Sequence, residues 1–315
     1  MGINRRLAAR ARWTRRRGAT LLAVVACALL MTACGGGDGG GSGGAAAGAA
    51  PTTAKPAGKP LPGVKEFGLT EEEFSAAVEK TQSLMASCMR EAGFEYVPVD
   101  VQTIELAQKY VRSDPNISRH DYHAKWGYGE TTRFDEPQAT VGLGPQNLRI
   151  VNALPETDRE AYERTLYGED RHADFVWTLD EEDFSSTGGC TRKAVAAVFK
   201  PSQVDGTFVN PKDELIDSDK RIIEGQRKWS QCMRGHGYNY REDQDEIIDE
   251  YAEHLEELAG DEDPTALTGE KAAELRKLQA EEVAVSLADL DCEIKHTDAV
   301  YRSVEIEVYG QPVSG

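Results

Sequence analysis

The clearest pattern in the chain is a helical one. Thr70 followed three residues later by Glu73 is a capping box, and Phe74, Val78, Thr81, Met85, Cys88 and Ala92 then recur at alternating spacings of four and three. That period predicts an amphipathic helix with Cys88 on its buried seam. Gly93 stands where a helix ends in a left-handed residue, and Arg90 in the last turn complements the carbonyl end of the helix dipole. Further along, Asn210 and Pro211 open a second such helix, with Ile222, Trp229 and Cys232 along its seam. Leu275, Leu278, Val285, Ala288, Cys292, Ala299 and Ile306 trace one face of a proline-free stretch from about Glu270 to Val308. The acidic and basic residues elsewhere on that stretch read as solvated surface. A shorter helix from Pro155 to Tyr167 stops at Gly168, and residues 115–147, rich in Gly, Pro, Asp and aromatics, read as a loop with a short hairpin.

Two of these segments are copies. Cys88-Met89-Arg90-Glu91-Ala92-Gly93-Phe94-Glu95-Tyr96 aligns with Cys232-Met233-Arg234-Gly235-His236-Gly237-Tyr238-Asn239-Tyr240 at a constant offset of 144, and six of the nine positions match or exchange one aromatic for another. Cys190, Lys193, Ala197, Val198 and Phe199 align in the same way with Cys292, Lys295, Ala299, Val300 and Tyr301. The fold class expected is therefore mainly α: a duplicated helical unit, with halves of about residues 63–205 and 206–315. Arg90 and Arg234 could form a twinned ligand site, but two helix ends stabilised in the same way is the simpler reading.

The amino terminus has a different character. Residues 1–33 carry seven arginines (Arg5, Arg6, Arg10, Arg12, Arg15, Arg16 and Arg17), no acid, and an apolar run from Leu21 to Met31. That is the charge and length pattern of a signal peptide, and eleven apolar residues rise only about 16 Å as a helix, too little for a permanent span. Gly18 and Ala19 stand where a twin-arginine motif wants an apolar pair, which favours the general secretory route. Leu30-Met31-Thr32-Ala33-Cys34 resembles the lipobox at which bacterial lipoproteins are cut, although Met31 replaces the commoner Leu. The resemblance implies lipid on the Cys34 sulfur, and two acyl chains hold a protein firmly where one holds it marginally. After Cys34, residues 35–62 are almost entirely Gly, Ala, Pro, Thr and Ser. Such a run cannot bury enough apolar area to offset its ordering entropy. It reads as a disordered tether with a root-mean-square span of roughly 30 Å.

Loss of the seven leader arginines leaves 29 basic against 54 acidic residues, a net charge of about −25. A chain so acidic is repelled by nucleic acid, which argues against a nucleic-acid partner. Of six cysteines, Cys27 leaves with the leader and Cys34 takes lipid, so Cys88, Cys190, Cys232 and Cys292 remain. An even number in an exported chain predicts two disulfides. If the ancestral unit carried one bridge between its two motifs, the pairs are Cys88–Cys190 and Cys232–Cys292; the competing arrangement joins equivalent cysteines across the halves.

Candidate chemistry is thin. There is no C-x-x-C or S-x-x-K, and Ser42, whose glycine flanks match G-x-S-x-G, sits in the low-complexity tether rather than on a strand-to-helix turn. His120 and His123 flank Asp121 and could approach a metal together, though a loop histidine pair is more often surface, and no metal or cofactor is expected. The acidic run from Glu242 to Glu246 lacks the glycine of a calcium loop. The two C-M-R-x-x-G-aromatic helices, the Gly127-Tyr128-Gly129 element, the Tyr167-Gly168 helix end and the late Cys292 helix resemble a group of uncharacterised actinobacterial lipoproteins over most of residues 65–305. The group brings no known activity. The function expected is that of a non-enzymatic envelope interaction protein, anchored by Cys34 to the outer face of the cell membrane and facing an envelope partner. A solute-binding lipoprotein working with a transporter is the alternative, and an envelope enzyme the least favoured.

Overall fold

The computed structural model describes residues 67–310 apart from 171, 242, 243 and 261; the signal segment, Cys34 and the tether lie outside them. Among the described residues regular structure is helical throughout. Helix α1 (Glu71–Glu91) begins as its capping box requires: the Glu73 amide donates to Thr70 Oγ1 at 3.2 Å while the Glu73 carboxylate accepts from the Thr70 amide at 2.8 Å. Phe74, Val78, Thr81 and Met85 are buried as their period demands, joined by Gln82 and Met89, while Ala92 is exposed as the helix cap. Next come α2 (Val101–Gln108), α3 (Arg119–Trp126), α4 (Pro137–Ala153), α5 (Glu156–Tyr167), α6 (Phe175–Asp180), α7 (Gly189–Val198) and α8 (Pro201–Val204).

Helix α1 lies chiefly along α7, α2 along α4, and α5 against α7. Phe67, Phe74, Met89, Leu166, Phe184 and Phe199 fill the core between them, with the Phe184 and Phe199 rings 4.6 Å apart between centroids. The carboxyl-terminal part holds α9 (Pro211–Asp217), α10 (Lys220–Gly235), α11 (Gln244–Ala259), the long α12 (Gly269–His296) and α13 (Asp298–Tyr309). Helix α12 is its axis, with α10, α11 and α3 all packed on it. A second core gathers Trp229, Met233, Ile247, Val285 and Cys292, and takes in Tyr128 from upstream.

The repeat holds in three dimensions. Gly93 and Gly237 have φ of +90° and +92°. The Phe94 and Tyr238 amides each reach back to the carbonyl of Met89 and Met233 at 2.9 Å, the same helix-end bond twice. Across the nine aligned positions the degree of burial agrees one for one. The bridges run within the copies, Cys88–Cys190 and Cys232–Cys292, with Cα separations of 5.6 and 5.7 Å. The arrangement across the halves is excluded.

Three expectations need correction. Residues 115–147 hold no hairpin: they contain α3, capped by Ser118 on the Asp121 amide at 3.0 Å, and the start of α4. The helix opened by Asn210 and Pro211 ends at Asp217, and the Trp229–Cys232 helix starts afresh where Asp219 accepts from the Arg221 amide at 2.8 Å. The stretch from Glu270 to Val308 breaks at Thr297, whose φ of −120° turns the chain out of the helix. The break shifts the phase. Ala299 and Ile306 are exposed, and Val304 packs instead beside Ile216 and Ile222.

Candidate functional site

Glu282, Ser286, Asp289 and Glu293 follow one another along α12 at intervals of four, three and four residues, which puts them in one stripe on one helical face. All four are buried, the first three completely. An acidic stripe is normally solvated because a buried unpaired charge is costly. Here each member has a partner, drawn mostly from residues 119–131.

Gly127 and Gly129, with φ of +63° and +94°, turn the backbone so that consecutive amides converge on one point. Such a run of N–H groups is an anion-binding concavity, and the Glu282 carboxylate occupies it. One oxygen accepts from the amides of Tyr128 (2.8 Å), Gly129 (2.7 Å) and Glu130 (3.1 Å). The other accepts from the Thr131 amide at 2.8 Å and its hydroxyl at 2.5 Å. A Cβ on Gly127 would lie 3.0 Å from the Glu282 side chain, so this turn admits glycine on steric as well as conformational grounds. Burial pushes the Glu282 carboxyl up, against the hydrogen bonds from Thr131 that favour its anion.

One turn on, Ser286 Oγ lies 2.9 Å from His123 Nδ1. Asp289 accepts from Trp229 Nε1 at 2.7 Å, Tyr128 Oη at 2.8 Å and Gln244 Nε2 at 2.7 Å, joining α10, α11 and the Gly-rich turn at one carboxylate. Glu293 pairs with the Arg119 guanidinium, which also reaches Asp298 at 3.0 Å. Burial raises the affinity of both Asp289 and Glu293 for protons, and their mutual repulsion across one helical turn adds to it at Glu293. A further buried ion, Arg112, stacks on Trp177 with its guanidinium carbon 4.8 Å from the ring centroid and pairs with Glu181 at 3.3 Å.

A hydroxyl and an imidazole within hydrogen-bond reach are the parts of an activated nucleophile. Yet Ser286 is 0% exposed and His123 7% exposed, beneath the tyrosines that flank them. Substrate would reach the pair only if residues 119–131 left α12, so the contact serves as a fastening. The histidines singled out in the sequence part company: His120 is exposed beside Asp121, while His123 turns inward to α12. Arg90 and Arg234 each bond within their own helix end, to Ser87 at 3.3 Å and Ser230 at 2.8 Å.

Asp174 gives a pH dependence that can be measured. It caps α6, accepting from the amides of Val176 and Trp177 at 2.8 and 3.0 Å. Burial pushes its carboxyl up to about 7 in spite of those bonds. An unfolded aspartate titrates near 3.9, so the folded state binds the proton more tightly. The stability this gives is full below pH ~4 and is lost as pH rises towards 7. Asp174→Asn keeps an oxygen for both amides and removes the charge. Its advantage over the parent chain should grow from pH 4 to pH 8 and reach about 1 to 3 kcal/mol. Urea melts across that range check it, and parallel curves for the two chains would refute it.

No family model matches the chain, and no curated protein or solved structure matches it.

Proposed function

We propose that the chain is an exported lipoprotein, held by lipid on Cys34 to the outer face of the cell membrane, which works there as a non-enzymatic envelope interaction protein of the actinobacterial group it resembles. The observation that carries the reading is the bridging of all four cysteines downstream of Cys34, a state typical of oxidising, extracytoplasmic compartments. Interaction is favoured over catalysis because the groups able to do acid–base or nucleophilic work along α12 are buried and committed to holding residues 119–131. A solute-binding lipoprotein with two α/β lobes suits the all-helical described residues poorly. No helix among those residues is long and apolar enough to cross a membrane.

Metabolic labelling with a fatty acid tests the anchor. Label should enter the parent chain and not Cys34→Ala, whose product should leave the membrane fraction; label retained by the variant would sink the idea. The tether gives a second test. Shortening residues 35–62 by half should leave the melting temperature unchanged, since nothing in that run can pack, while reducing crosslinking to envelope proteins on whole cells. A drop of many degrees would show that the run belongs to the fold.

A further inference from the structure

We propose that the Cys232–Cys292 bridge covers a metal site: once reduced, the two thiolates, the His236 imidazole and the Asp291 carboxylate form a four-ligand site for a divalent ion of the zinc class. The two sulfurs and a ring nitrogen of His236 already lie within 4.8 Å of one another. His236 Nε2 is 3.5 Å from Asp291 Oδ2. Zinc bond lengths set tetrahedral ligand atoms about 3.3 to 3.8 Å apart, so a modest turn of the His236 side chain, itself about two-fifths exposed, brings these three to that spacing, and the Asp291 carboxylate, which stands against His236 and outside the group of three, swings in to complete the set.

Sequence and fold explain why the four are neighbours. His236 follows Cys232 by one helical turn, at the cap of α10, and Asp291 is the neighbour of Cys292 on α12. The packing of Trp229 and Met233 beside Val285 and Ala288 fixes those helices against each other. The other bridge is an internal comparison. It has the same helix-end geometry and the same burial, but Ala92 stands in the place of His236 and Gly189 in that of Asp291. The staple therefore needs neither residue. The second copy alone adds two ligands of the types zinc takes, next to the two sulfurs. Lys295 pairs with Asp291 at 2.5 Å in the oxidised form and would have to release it, a small loss for an exposed pair.

The step balances. A dithiol reductant gives two electrons and two protons to the disulfide and becomes a cyclic disulfide itself, leaving Cys232 and Cys292 as thiols. The ion then displaces both thiol protons to solvent and forms two metal–sulfur bonds, one bond to the neutral imidazole and one to the carboxylate.

The full chain, reduced with a water-soluble phosphine, is titrated with Co²⁺ and then Zn²⁺. One cobalt per chain should bind with thiolate-to-metal charge-transfer absorption and the intense visible bands of a tetrahedral site, and zinc should displace it. Zinc should raise the melting temperature of the reduced chain and leave the oxidised one unmoved. It should also protect Cys232 and Cys292, but not Cys88 and Cys190, from alkylation. His236→Ala, a change at an exposed position, should weaken binding at least tenfold. Absence of the charge-transfer band overturns the proposal. So do an affinity indifferent to His236→Ala and protection of the other cysteine pair.

Discussion

A chain with alanine at Cys88, Cys190, Cys232 and Cys292 is expected to be unfolded, or nearly so, at 37 °C. The bridges close separate loops of 102 and 60 residues. In the chain-entropy account those loops contribute about 4.7 and about 4.3 kcal/mol by restricting the unfolded chain. The loops do not overlap and the bridges staple different cores, so the two contributions should add to within about half a kcal/mol. A sum near 9 kcal/mol lies inside the whole stability of ordinary domains, about 5 to 15 kcal/mol. Each double variant alone should fold and lose about 4 to 5 kcal/mol, read from urea melts monitored by helical circular dichroism. Losses below about 1 kcal/mol in both would mean that the bridges ornament a fold held by other forces.

That pairing is legible in the sequence because it needs only local signals and their repetition. A capping box, an apolar period and a terminal glycine each act within a few residues, so Thr70, Phe74 and Gly93 announce α1 unaided. Repetition then supplied what local signals lack, a rule for which distant cysteines meet. The helix breaks were less visible because neither contains proline. Asp217-Ser218-Asp219 did carry a signal, since two aspartates around a serine are good caps and Asp219 serves as one. The signal at Thr297 is weaker: it stands at the N-cap of α13 without a side-chain cap bond, and α13 packs beside α10.

The polar stripe on α12 is not legible in the sequence, for a physical reason. Glu282, Asp289 and Glu293 lie among many acids, and a sequence does not say which acids another segment will cover. Most of their cover comes from more than 150 residues upstream, in a stretch whose glycines read as loop. Those same glycines were the available clue. Gly127-Tyr128-Gly129 followed by Thr131 is a backbone ready to present amides to an anion, and the anion is a glutamate of the same chain.

Glu282→Ala should therefore cost about 3 to 5 kcal/mol, far more than an ordinary substitution of a charged helical residue. The loss comes from what stays behind. The amides of Tyr128 and Thr131, both nearly inaccessible to water, keep their burial and lose their acceptor, and each orphaned donor costs about 1 to 3 kcal/mol. Glu282→Gln retains one oxygen for the amides of Tyr128, Gly129 and Glu130, but turns an NH2 towards the Thr131 amide and hydroxyl, so about 1 to 3 kcal/mol should be lost. In a domain of this size each kcal/mol lowers the melting temperature by about 2 to 4 °C. The two kinds of variant differ in where they loosen the molecule. Loss of a bridge weakens a whole core through the unfolded state, whereas loss of Glu282 frees residues 119–131 from α12 while the first core stays intact. Amide exchange resolves this: in Glu282→Ala protection should fall first at Tyr128, Gly129, Glu130 and Thr131, then at His123, with Met85 and Met89 of α1 unaffected under native conditions. Uniform loss of protection, or a melting point within a degree of the parent, would mean that the amides find water in place of the carboxylate and that the cradle fastens nothing.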